Sequence, residues 1–307
     1  MSTTSATPAA TPAATPAATP AHGAADGYRA GRTLTLGAEW RRQWRRRRTQ
    51  LALGFMVALP LILLVAFELG SSSDDDGGGN GRGQFSALVD VATAGGLNFA
   101  LFALFVSSSF LLVVVVALFC GDTVASEASW GSLRYLLAIP VPRARLLGVK
   151  LTVALGYSAL ALLTLVATAV VAGTLRYGWH PLRSGLAADI PAGEGLLRLL
   201  AVTGYLGLGL LVVAGLAFLL STLTDAPLGA VGGAVLLYIV SSILNQITAL
   251  GSLRNLLPTH FSQAYLGLLT TPVQVDDVVK GAISALVYAA IFWITAWFRF
   301  LRKDVTS

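Results

Sequence analysis

The sequence predicts an all-α membrane protein, and three observations predict it. Of 307 residues, 55% are hydrophobic and only 12% charged, about half the roughly 25% of a soluble domain. Mean hydropathy is +0.73. Six apolar runs, Leu51–Leu69, Leu97–Phe119, Leu151–Thr174, Leu199–Leu220, Leu228–Leu250 and Gly281–Phe298, are each near the ~20 residues that cross a bilayer core as a helix. Each is expected to be helical because unpaired backbone groups cannot face lipid.

Residues 1–33 carry a period-four Thr-Pro-Ala-Ala repeat with nothing to bury, and read as a disordered tail ahead of one transmembrane domain over 34–307. From Thr33 to Arg48, Leu36, Trp40 and Trp44 recur every fourth residue while Arg41, Arg42, Arg45, Arg46 and Arg48 fill the other faces. Such an amphipathic helix suits the headgroup layer, with Trp40, Trp44, Arg41 and Arg45 as its surface anchor against anionic lipids rather than nucleic acid. In the first span Pro60 marks a kink. Residues 70–96 are a Gly/Ser/Asp-rich outer loop, 175–198 a second, and Ser221–Pro227 a short turn that makes the fourth and fifth spans antiparallel neighbours.

On the fifth span Gly229 and Gly233 allow close helix approach, either between two copies of the chain or within one. The apolar segment Ser252–Lys280 is either a re-entrant helix between the fifth and sixth spans or a surface helix on the bundle. Fifteen of the 21 basic residues fall on the side of the termini and six on the other, which the positive-inside rule reads as both termini cytoplasmic. The Ala, Gly, Leu, Val and Arg content points to a GC-rich, bacterial source and so to a plasma membrane.

Chemistry is sparse. Of Asp, Glu, Lys, Arg and His the six spans hold one residue, Glu68, at the outer end of the first, whereas ion-coupled carriers bury such groups at mid-depth. The chain has no G-x-x-x-x-G-K-[ST] phosphate loop, H-E-x-x-H or G-x-S-x-G. Glu194 and Arg198 have a bare Glu-x-x-x-Arg spacing and read as flanks of the fourth span. No catalytic residue, metal site or cofactor is expected, and the lone Cys120 precludes an intrachain disulfide.

Between the second and third spans lies Gly121-Asp122-x-x-Ala125-x-Glu127-x-x-x-Gly131-Ser132-Leu133-Arg134-x-Leu136-Leu137-x-x-Pro140-Val141-x-Arg143-x-Arg145-Leu146-Leu147-x-x-Lys150. Its mix of Glu127, Arg134 and leucines suits a short helix along the membrane that Ile139-Pro-Val-Pro142 ends. The stretch resembles the cytoplasmic signature of type-2 ATP-binding-cassette (ABC-2) exporter permeases: an acid pair, a Gly-Ser-Leu-Arg turn, then Pro-Val-Ser-Arg, with Pro142 here in place of Ser.

That resemblance implies a permease subunit without its own ATPase. Two permease chains, identical in the simplest case, would pair with two copies of a separate ATPase that binds ATP and Mg. The connector, with Asp122, Glu127, Gly131, Leu133, Arg134 and Leu136, would be its coupling helix, with Glu127 and Arg134 touching the motor or clamping the connector. Such families export drugs, antibiotics, peptides, lipids and glycans, and the uncharged spans suit an amphipathic solute. The alternatives are a secondary carrier and a non-transporting scaffold or sensor.

Overall fold

The computed structural model describes residues 35–71, 88–129, 142–183 and 189–302. The tail and the connector positions Gly131, Leu133, Arg134 and Leu136 lie outside these. The helices are α1 (Leu36–Trp44), α2 (Arg47–Ser71), α3 (Gly96–Ser108), α4 (Leu111–Ser129), α5 (Arg143–Tyr177), α6 (Ala192–Leu223), α7 (Pro227–Gln246) and α8 (Asp276–Leu301), with a helical turn at 88–93 and 3₁₀ segments Thr248–Leu256 and Ala264–Leu269. Among the described residues the only β pairing is an isolated bridge, Leu182 to Ile190.

Helices α2, α4, α5, α6, α7 and α8 are each long and apolar enough to cross a membrane. Contacts at their ends fix the alternation. Arg48 of α2 meets Asp122 of α4 at 2.9 Å, while Glu68 at the other end of α2 meets Arg176 of α5 at 2.7 Å. The N–H of Gly96, at the start of α3, donates to the carbonyl of Gly178 just past α5 at 2.9 Å. Ser221 near the end of α6 bonds α4, and Arg143 at the start of α5 reaches the Leu301 carbonyl of α8. The spans therefore run alternately up and down. Helix α1 and the end of α8 share one side, here called the basic face.

The second predicted span is broken. Residues 97–119 form not one helix but the end-to-end pair α3 and α4, separated at Ser109–Phe110. The hydroxyls of Ser107 and Ser108 donate to the carbonyls of Ala103 (2.6 Å) and Phe105 (2.9 Å). Such back-bonding competes with the helical ladder and bends it. The other end also differs from expectation: Gly121–Ser129 continues α4 rather than starting a separate helix.

Helix α4 is central and mostly buried, whereas α2, α7 and α8 lie at the periphery with most of their apolar residues exposed or half-buried. Phe119, Tyr157, Leu165 and Leu199 belong to one packed cluster of the core, and Val116, Leu147, Phe218 and Ala296 to a second. The outer helices show Phe55, Leu61, Leu228, Leu236, Ile283 and Ile294 to the surroundings. A rim this apolar is compatible with lipid and not with water. Helix α5 has 35 residues, roughly 50 Å at 1.5 Å per residue, so it outruns the ~30 Å hydrocarbon core.

Residues 247–275 contain no α-helix, so the helix expected over Ser252–Lys280 is absent up to the start of α8. Two 3₁₀ segments thread between α6, α7 and α8, leaving carbonyls with no helical partner, and side chains of the spans supply the donors. Tyr205 Oη donates to the Phe261 carbonyl at 2.5 Å, and Arg198 Nη1 to those of Leu268 (3.3 Å) and Thr270 (2.8 Å). Tyr288 donates to the Leu256 carbonyl. Tyr205 lies thirteen residues into α6, roughly 20 Å along its axis. Irregular backbone packed among helices persists only when other protein groups satisfy its carbonyls. Tyr265 is buried within the segment, and burial pushes its phenol up to about 12, so it stays neutral.

Candidate functional site

The charged residues of the basic face converge on the end of α4. The spacing of Asp122 and Glu127 sets them more than one turn apart on a helix packed between α5, α6 and α7. Glu127 is 2% exposed and Asp122 5%. Carboxylates this deep remain ionised only when cations meet them.

Around Glu127 the partners close a ring. Lys150 of α5, 3% exposed, places Nζ 2.5 Å from Glu127 Oε1 and 3.4 Å from Glu39 Oε1 of α1. Arg42, one turn along α1, reaches Glu127 Oε1 at 3.0 Å and Glu39 Oε2 at 3.5 Å. Two anions and two cations alternate, so each charge faces two of opposite sign and the ring is neutral. It joins α1, α4 and α5.

Asp122 forms the second cluster. Its Oδ2 lies 3.0 Å from Arg46 Nη1 and its Oδ1 2.9 Å from Arg48 Nη1. These arginines sit at the elbow between α1 and α2, so α2 is tied to the same stretch of α4. Between the two acids, Ser221 Oγ of α6 accepts from the amides of Val124 (3.0 Å) and Ala125 (2.9 Å), while the Thr123 hydroxyl donates to the Cys120 carbonyl at 2.7 Å. A side chain entering the ladder is an identifiable cause of helix bending.

Helix α1 is seated by an aromatic contact as well. The rings of Trp40 and Tyr157 stack with centroids 4.3 Å apart, and Tyr157 Oη donates to the Trp40 carbonyl at 2.8 Å. The fit depends on Gly156, since a Cβ there would lie 2.5 Å from the indole. Thr35 caps the helix, its Oγ1 accepting from the Ala38 amide at 3.3 Å.

Of the residues singled out in the sequence, Asp122 and Glu127 are thus buried, face inward and are met by cations, Glu127 in a fully buried pair with Lys150. Trp44, Arg41 and Arg45 are exposed, and Trp40 has one face on Tyr157. Gly229 is exposed, and Gly233 is half-buried near Leu220. A Cβ on Gly233 would lie 3.2 Å from Leu220 Cδ1, and a tighter approach to α7 comes at Gly121 of α4, where a Cβ would lie 2.9 Å from Val231 Cγ2 and 3.2 Å from the Val231 nitrogen. Glu194 and Arg198 form an i,i+4 pair at 2.6 Å that holds the 3₁₀ segment. Among the described residues no His/Cys/Asp/Glu group could hold a metal ion.

Sequence reasoning missed Glu39 as the partner of Lys150, and missed Tyr157 and Ser221. One signal pointed to Glu39: it lies three residues after Leu36, on the edge of the apolar stripe, where an unpaired acid would be out of place. Nothing local marked Tyr157, 117 positions from the carbonyl it bonds.

These features define the class: a multi-pass helical membrane protein with a charged latch at one end of its bundle. Residues 79–306, well over half of the chain, match the family described as "Protein of unknown function (DUF2705)", and the protein belongs to that family. No curated protein matches it. The match takes in Asp122, Glu127 and Lys150, whereas Glu39, Arg42, Arg46 and Arg48 precede it.

Proposed function

We propose that the chain is the permease subunit of an ATP-binding-cassette exporter of the type-2 kind, moving an amphipathic molecule from the cytoplasm or inner leaflet under the drive of a separate ATPase. One observation carries the reading: the acids of the exporter-like signature, Asp122 and Glu127, are the α4 half of an ion network that reaches α1, the α1–α2 elbow and α5. The stretch 130–141, which the resemblance assigns to motor contact, joins the two helices this network locks together. A push on it would move α1, α2, α4 and α5 as a unit.

In this reading Asp122 and Glu127 are clamps behind the coupling segment rather than contacts to the motor. Gly131, Leu133, Arg134 and Leu136 are left as the contact surface. The basic face is cytoplasmic, consistent with the arginine distribution. The exposed Gly229 and its neighbours on α7 are available to a second permease chain.

Gentle purification from the native membrane, with identification of what accompanies the chain, tests the proposal. The expected companion is a soluble protein with a phosphate loop, and ATP-dependent export from vesicles should fall on Arg134→Ala while the permease remains folded. Export by the chain alone, without nucleotide, would overturn the reading.

A further inference from the structure

At the α1–α2 elbow a cavity of about 500 Å³ opens between Arg42, Arg45, Arg46, Arg47 and Arg48 and the end of α4. We propose that this cavity is a built binding site for a phosphate group. Five guanidinium groups line it against two carboxylates, Asp122 and Glu127, leaving an excess of three positive charges in its wall. Arg46 and Arg48 are engaged by Asp122, and Arg42 by Glu127 and Glu39. Arg45 and Arg47 have no ion-pair partner among the described residues, and both are exposed.

The backbone adds to the excess. Helix α2 starts at Arg47 and has no acidic residue in its first turn, so nothing on that helix offsets the partial positive charge at its N-terminus. Like charges this dense repel one another, and a bound anion relieves the repulsion. Phosphate suits the wall because its several oxygens match the paired N–H donors of more than one planar guanidinium fork. Asp122 holds two of the forks at 3.0 and 2.9 Å, so part of the wall is fixed in advance. The phosphate belongs either to a lipid headgroup or to a soluble molecule. The inference goes beyond the transport reading and holds with or without an ATPase partner.

The full chain in nanodiscs provides the test, with two arms. In one, native mass spectrometry counts phosphatidylglycerol retained from a mixed phosphatidylcholine bilayer. In the other, titration calorimetry measures inorganic phosphate binding in pure phosphatidylcholine discs. Wild type is compared with Arg45→Gln/Arg47→Gln and with Arg45→Lys/Arg47→Lys, which keeps the charge and removes the forks. Both side chains are exposed, so the variants are expected to fold, and an unchanged melting temperature checks this.

The proposal expects at least one ligand bound by wild type and weakened about tenfold or more in both variants, the scale of two lost charge-assisted contacts. The arm in which this happens identifies the source. Absence of both ligands from wild type overturns the proposal. So does equal binding by all three proteins, or binding that the lysine variant fully keeps, since diffuse charge would then suffice.

Discussion

The two ends of the bundle solve the same problem with different chemistry. At the basic face, charges on regular helices meet one another side chain to side chain, as in the ring of buried Glu39, Glu127 and Lys150 with the exposed Arg42. At the opposite end, the irregular chain of residues 247–275 is held by donors aimed at its carbonyls, chiefly Tyr205, Tyr288 and Arg198. The difference teaches where each interaction fails. Loss of the buried Lys150 strands buried carboxylates, which costs about 3–5 kcal/mol. A lost carbonyl donor strands a neutral dipole, which costs about 1–3 kcal/mol.

The largest effect is therefore expected at the ring. Lys150→Met leaves Glu127 and Glu39 with Arg42 as their one shared cation in the ring, and should destabilise the protein by about 3–5 kcal/mol in detergent unfolding assays. Adding Glu127→Met should restore part of that loss, because the pair is then replaced by apolar side chains. A double variant as unstable as the sum of both singles would contradict the ring. Next comes Gly121→Ala, which forces α4 and α7 apart at Val231 and should cost about 1–3 kcal/mol by the same assay.

Tyr205→Phe removes the donor to Phe261 and sharpens the comparison from the other end, with an expected loss of about 1–2 kcal/mol. Faster amide exchange confined to residues 257–270 would show that the loss is local. Gly229→Ala is the smallest change, since no heavy atom outside its own turn crowds the position, the nearest being Ala226 Cβ at 3.6 Å. A shift within about 0.5 kcal/mol is expected for the single chain. A much larger shift, with altered mass on size exclusion, would instead mark α7 as an interface between copies.

Much of the frame was legible because hydrophobic runs of spanning length have few alternatives. The presence of α2 and α8, the short turn before Pro227 and a helix before the first span follow from run length, Pro placement and the Leu36–Trp40–Trp44 stripe. Helices α2 and α8 themselves start at Arg47 and Asp276, ahead of the apolar runs. The break between α3 and α4 was less legible, because a run of three serines reads as a mild polar patch until the hydroxyls are seen bonding the preceding turn. The 3₁₀ segments escaped for a related reason: their donors come from Tyr205 and Arg198, more than fifty positions away.

At the candidate site the sequence pointed to Asp122 and Glu127 but not to their inward orientation. That depends on α4 continuing through them to Ser129, packed against α6 and α7, instead of turning onto the surface after Phe119. The apolar residues around them do not announce this, because leucines and valines serve a buried helix and a surface one equally. The partners were illegible for the same reason that makes the site informative: Glu39 and Lys150 are 111 positions apart.

The central claim is that the ring holds α1 onto α4 and α5. Hydrogen–deuterium exchange of the full chain in nanodiscs, comparing wild type with Lys150→Met, tests it most directly. The account predicts faster exchange across residues 36–44, although the substitution lies on α5. Unchanged protection of those amides would contradict it.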